Sequence, residues 1–141
     1  MTVELEEQLF NLINNGSLQE IKVFYNNNPS VAVDEKPFSW ACAEGHLEVA
    51  KWLLEVNPNI NINISNGNEY IFRSVCSHGH LHVAKWLLEI KPDIVISAEN
   101  NVAFFSACRY KNNDVALWLT TLDQRHIVVI QNDVILDYYV V

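Results

Sequence analysis

The sequence predicts an all-α fold, a solenoid of helix–turn–helix repeats joined by short extended, hairpin-like connectors. Three observations carry this prediction. One motif recurs at a nearly constant step, apolar residues inside each copy fall at helical spacing, and glycine and proline stand where helices must stop. Residues 42–52 read CAEGHLEVAKW and residues 76–86 read CSHGHLHVAKW. Fuller copies begin at Pro37, Ile71 and Ala103, steps of 34 and 32 residues, and a fainter one begins at Gln8. In the faint copy Gly16, Leu18, Ile21 and Pro29 fall in register with Gly45, Leu47, Ala50 and Pro58.

Each copy is expected to hold two short helices. The first, inner helix runs about eight residues and ends at a glycine, the residue that most readily takes a left-handed helix end. The second, outer helix carries Leu47, Ala50, Leu53 and Leu54 on one face, with Glu48, Lys51 and Glu55 between them. Pro58 and Pro92 end it, because proline has no N–H to continue the ladder. Beyond, residues 61–69 alternate and are rich in Asn and Gly, which suits an extended connector.

Composition narrows the function. Of 141 residues half are hydrophobic and 18% charged, so the chain can bury a core. The formal charge is −8 and the pI about 4.9, against a nucleic-acid partner or attachment to anionic lipid. No apolar run is long enough for a membrane span, and the N-terminal segment is acidic where a signal peptide is basic. Cys42, Cys76 and Cys108 sit at matching places in successive copies, where a disulfide staple would not put them. A reducing, intracellular and cytoplasmic setting is therefore expected.

The cluster of Cys76, His78, His80 and His82 invites a metal reading. Zinc needs four converging ligands, usually Cys or His at characteristic spacings. Cys76 and His80 recur as Cys42 and His46, so both belong to the repeat frame, and His78 and His82 have no evident further partners. No metal site and no cofactor is expected. Catalysis has equally little to stand on: three equivalent cysteines look like packed alanine substitutes, and no Gly-rich phosphate loop is present. Trp52, Trp86 and Trp118 share one outer-helix position and are expected to form a packing ladder.

A helix–turn–helix unit repeating about every 33 residues resembles the ankyrin repeat. The likeness rests on Gly-His-Leu at 45–47 and 79–81, on EVAKWLLE and HVAKWLLE after them, and on the small pairs Ala41-Cys42 and Ala107-Cys108. It covers essentially the whole chain. Departures are informative. The family's Thr-Pro-Leu-His tetrapeptide stands here as 36–39 KPFS, 70–73 YIFR and 102–105 VAFF, so hydrogen bonds made by its Thr and His must be weakened or replaced. Lys111-Asn112-Asn113 replaces Gly-His-Leu and leaves the fourth turn in question. The style of the repeats is similar to ankyrin arrays of large DNA viruses of protists.

The resemblance implies boundaries of 1–33 for an N-terminal capping repeat, then 34–67, 68–101 and 102–133 for three further repeats. Residues 134–141 would begin a partial fifth repeat or form a C-terminal cap. In the latter case Leu136, Tyr138 and Tyr139 pack down; otherwise a longer array continues and its exposed edge promotes homo-oligomerisation.

The resemblance also implies function: no catalysis, and a concave surface presented rigidly to a protein partner of unknown identity, a host protein if the viral likeness holds. Positions that change while the frame stays constant mark the expected partner-binding residues, namely Glu44, Arg73, His78, Phe105, Arg109 and Tyr110. Glu35, Asn68-Glu69 and Asn101 fall on the connector part of that surface. Two alternatives stand beside this one: a metal- or pH-responsive regulator using His78, His80 and His82, and a self-associating fragment of a longer array.

Overall fold

The computed structural model describes residues 1–62 and 69–141. The chain divides into two compact units, Met1–Ile62 and Asn63–Val141.

The first unit contains helices α1 (Val3–Asn15), α2 (Leu18–Asn27), α3 (Glu35–Ala43) and α4 (Leu47–Val56). The Thr2 hydroxyl caps α1 by accepting from the Leu5 N–H at 3.3 Å, and the Asp34 carboxylate caps α3 by accepting from the Lys36 N–H at 3.1 Å. Gly16 ends α1 in the left-handed region at φ 71°, and its N–H donates back to the Leu12 and Ile13 carbonyls. Leu9, Ile13, Ile21, Phe38 and Leu53 are fully buried, with Ala41 and Cys42 small enough to let neighbouring helices close on α3.

The second unit contains α5 (Tyr70–His78), α6 (Leu81–Ile90), α7 (Ala98–Arg109), α8 (Asn113–Leu122) and an antiparallel hairpin of β1 (His126–Gln131) and β2 (Val134–Val140). Glu99, Asn100 and Asn101 within α7 are left-handed, so its regular right-handed part begins at Val102. Phe72, Val75, Leu87, Phe104 and Leu119 form the core, and Ala107 with Cys108 repeats the small pair of α3. The helix–turn–helix pairs are those the sequence predicts. The described connectors at 28–34 and 91–97 are turns leading into irregular backbone. Most of the connector expected at 61–69 lies outside the described residues.

The turn of the fourth unit is preserved by substitution. Lys111 takes the left-handed conformation (φ 59°) that Gly79 takes at φ 81°. Asn112 then does what His46 does two repeats earlier in the sequence. His46 Nε2 donates to the Asn14 carbonyl at 3.0 Å, and Asn112 Nδ2 donates to the Ser77 carbonyl at 2.7 Å. Each side chain ties a turn to the end of the preceding inner helix.

The connectors are tied as well, by acidic side chains that stand just before the tetrapeptide positions. Glu35 Oε1 accepts from the Asn61 N–H at 3.4 Å, and Glu69 Oε1 accepts from the Val95 N–H at 3.3 Å. Asn101, the next equivalent, lies 2.9 Å from His126 Nε2. Glu69 is 2% exposed, so the expectation that it belongs to a recognition surface is corrected. Burial turns this carboxylate into a packing element, while Asn68 lies outside the described residues.

Residues 134–140 are a strand and do not begin a fifth inner helix. Ile127–Ile130 is a β-branched run, and the two-residue turn Asn132-Asp133 has positive φ at both positions, which matches the twist of a tight hairpin. Of the three residues expected to pack as a cap, Tyr138 does so, its ring lying 6.4 Å from Phe104 and 6.1 Å from Phe105. Leu136 and Tyr139 stay exposed.

Candidate functional site

In the second unit the inner helices α5 and α7 lie side by side and leave a groove on their outward faces. Val102, Phe105, Ser106, Arg109 and Tyr110 come from α7 at the spacing of one helical face. With Tyr138 of β2 they enclose a cleft of about 420 Å³. Tyr70, Arg73, Ser74 and Ser77 come from α5 at the same spacing and line a shallower cleft of about 220 Å³. The two clefts share Val102 and Ser106, so together they form one groove across both helices.

The end of the groove is fixed from beneath. The buried imidazole of His126 lies against Phe104, its Nδ1 3.3 Å from the Leu119 carbonyl oxygen. This pins β1 onto α7 and α8, which in turn holds Tyr138 beside Phe105. At the start of β1, Asp123 accepts from the Arg125 guanidinium at 2.6 Å. That pairing and the Arg125 backbone N–H lower the Asp123 carboxyl to about 2.

Electrostatically the groove departs from the rest of the chain. Arg73 and Arg109 line it, two of only three arginines in a protein of charge −8. Among the described residues lining it, none is Asp or Glu. Phe105 and Tyr110 stand 36% and 62% exposed, far above what packing alone requires.

Four of the six residues expected to bind a partner, Arg73, Phe105, Arg109 and Tyr110, meet in this groove. The other two do not line it. Glu44 is an exposed C-cap of α3 in the first unit. His78 is exposed at the end of α5, where its Nδ1 donates to the Ser74 carbonyl at 2.8 Å. Tyr70, Val102, Ser106 and Tyr138 line the groove without having been marked by sequence. Helical spacing from Arg73 and Phe105 reaches the first three, whereas Tyr138 belongs to an element with no counterpart in the repeat.

The first unit carries its own aromatic surface. Phe10 of α1 meets Trp40 of α3 edge to face at 5.1 Å, beside an ion pair between Lys36 and Glu6. With Val3 and Glu7 these aromatics border a shallow depression. In the repeat register Phe10 falls where Arg73 and Phe105 stand, and Trp40 where Ser74 and Ser106 stand, so both occupy positions that change from copy to copy.

The other chemical candidates are placed as follows. His78 and His80 stack with ring centres 6.3 Å apart and His82 stands edge-on to His80 at 6.2 Å. Among the described residues no group of three His, Cys, Asp or Glu side chains is arranged to hold a metal ion. All three cysteines are buried and free. Burial pushes the Cys42 and Cys76 thiols far up and that of Cys108 up to about 11, away from a reactive thiolate. Trp52 packs on Tyr25 at 5.8 Å and Trp118 on Phe72 at 6.2 Å, so both serve packing within their units. No helix among the described residues is long and apolar enough to cross a membrane.

Comparison with known proteins adds one finding. Residues 38–88, from α3 through α6, match the family model for ankyrin repeats (many copies). A search of curated proteins finds no match.

Proposed function

From the match of residues 38–88 to the family model for ankyrin repeats, we propose that the chain is a non-catalytic protein-interaction module whose binding face includes the α5–α7 groove. Ankyrin repeats are in general protein-interaction modules. The observation that carries the proposal is the clustering of Phe105, Arg109 and Tyr110 with Tyr138, where the buried frame is constant and the exposed positions are not. Exposed aromatic and arginine side chains around a preformed cleft are the residue types that dominate binding energy at protein interfaces. Rigid helices behind them limit the ordering cost of association. Three buried free thiols suit an intracellular setting, with a host protein as partner where the viral likeness holds.

The test is retention of proteins from host-cell lysate on the immobilised chain, run beside Phe105→Ala/Arg109→Glu/Tyr110→Ala with circular dichroism matched between the two. A protein held by the wild type and lost from the variant supports the module and its site. Equal retention moves the site elsewhere, with Phe10 and Trp40 as the next surface.

A second proposal rests on the hairpin, where Val134, Leu136 and Tyr139 are 52%, 59% and 45% exposed on a ribbon that pairs with no further strand among the described residues. Such an edge favours self-association, and light scattering across a concentration series would reveal it. A mass that stays monomeric at every concentration removes this proposal.

A further inference from the structure

Resting on the interaction-module reading, we propose that the α5–α7 groove takes an extended acidic peptide segment, with one aromatic side chain seated between Phe105, Tyr110 and Tyr138 and carboxylates flanking it.

The charge pattern selects the sign of the partner. Acidic residues number 17 against 9 basic ones, yet the groove is lined by arginines and by no carboxylate among its described residues. Asp137 is adjacent to Tyr138, but strand alternation turns it to the other face, and its carboxylate accepts from the Tyr138 N–H at 2.8 Å. Arg109 has no ion-pair partner among the described residues. Its planar fork suits a carboxylate, which it can hold through two parallel hydrogen bonds. A basic segment would meet two like charges here, whereas elsewhere the −8 chain would attract it.

Size and lining select the side chain. A cleft of about 420 Å³ lies at the low end of small-ligand sites and has room for one large side chain with its backbone. Its walls are aromatic rings set at different angles, and Phe105 and Tyr138 are tilted 53° to each other. A guest ring can meet such walls offset or edge-on, the arrangements aromatic pairs prefer.

Spacing selects the peptide's form. Packed helices lie roughly 8–10 Å apart, and an extended chain rises about 3.3 Å per residue. A strand-like segment crossing from α7 to α5 therefore brings a second carboxylate to Arg73 about three residues from the ring. Ser74 of α5 and Ser106 of α7 also line the groove, and their hydroxyls can serve the segment's backbone.

The experiment is selection from a displayed library of random linear peptides on the immobilised full chain, followed by titration of labelled winners. Winners should carry an aromatic residue with Asp or Glu beside it and another about three positions away. Their affinity should fall at least about tenfold with Arg109→Glu and with added salt, and by a similar factor when their aromatic residue is changed to alanine. Replacing the winner's flanking acid by lysine should restore part of the binding to Arg109→Glu. Winners that lack acids, winners indifferent to Arg109→Glu, or no enrichment at all would overturn the proposal. If any of these occurs while the lysate partner is still lost on the triple variant, this inference fails and the module proposal survives. If the lysate test fails too, both fall.

Discussion

The His126 imidazole and the Phe104 ring lie 4.3 Å apart and within 5° of parallel. One belongs to the hairpin and the other to α7, so this stack is where the non-repeated end of the chain is joined to the repeat. Both side chains are buried, and the imidazole is also held at the Leu119 carbonyl and at Asn101. His126→Ala removes the ring contact and leaves the buried Leu119 carbonyl and the part-buried Asn101 side chain without this partner. The expected loss is about 2–4 kcal/mol, read from urea unfolding. A loss below about 0.5 kcal/mol would mean the hairpin is not held by this contact.

A second relationship couples a glycine to a side chain on the next turn. Gly79 sits at φ 81°, and a Cβ built there would lie 2.6 Å from Asn112 Oδ1. Gly79→Ala should cost roughly 1–2 kcal/mol, from the left-handed backbone and the clash together. Asn112→Ala should cost about 1 kcal/mol by leaving the Ser77 carbonyl without its donor. Because the alanine methyl collides with the Asn112 side chain itself, the double variant should lose less than the two single losses combined. Strict additivity in a double-mutant cycle would show that only the backbone conformation matters.

How far the sequence reveals all this depends on whether a residue obeys the repeat. Gly16 and Gly79 end helices in the left-handed region, and Ala41-Cys42 and Ala107-Cys108 are buried, because each holds an equivalent place in its copy. Arg73, Phe105, Arg109 and Tyr110 are legible for the opposite reason, since they vary on a face whose frame does not. The hairpin is hidden by that same frame: aligned on the repeat, residues 132–141 fall where an inner helix would start. The local signal, a β-branched run and an Asn-Asp turn with positive φ at both residues, points to strands and prevails. Glu69 is misleading because a carboxylate in a connector normally faces water. Here it is buried and accepts from the Val95 N–H, tying the following connector from inside the core.

The cysteines give a prediction for alkaline stability. Their folded pKa values are raised by burial, above an unfolded value of about 8.5. A raised value means the stabilising preference for the neutral thiol is complete below about pH 8.5. It is lost as pH climbs through the folded value, about 11 for Cys108. Unfolding free energy should therefore decline from about pH 8.5 upward, and Cys42→Ala/Cys76→Ala/Cys108→Ala should flatten that decline. In the native protein a thiol reagent at pH 8 should react slowly, and urea should accelerate it sharply. Fast labelling without urea would contradict the burial.

Tyr138 separates folding from binding. Its ring contacts Phe104 and Phe105 at the rim of the groove, half-buried on a hairpin whose anchor is His126 and not Tyr138 itself. Tyr138→Ala should therefore cost only about 1 kcal/mol of stability, the worth of rim aromatic contacts. Its effect on the groove is larger, because it removes one of the three aromatic rings that line the cleft. A partner seated there should bind at least about tenfold more weakly to Tyr138→Ala, while Tyr138→Phe, which keeps the ring, should stay within about threefold of wild type. Parallel unfolding and binding titrations distinguish the cases. If Tyr138→Ala unfolds the hairpin, stability drops as far as in His126→Ala and the tyrosine is an anchor. If stability holds and binding is unchanged, the wall has no part in recognition and the site must be drawn without β2.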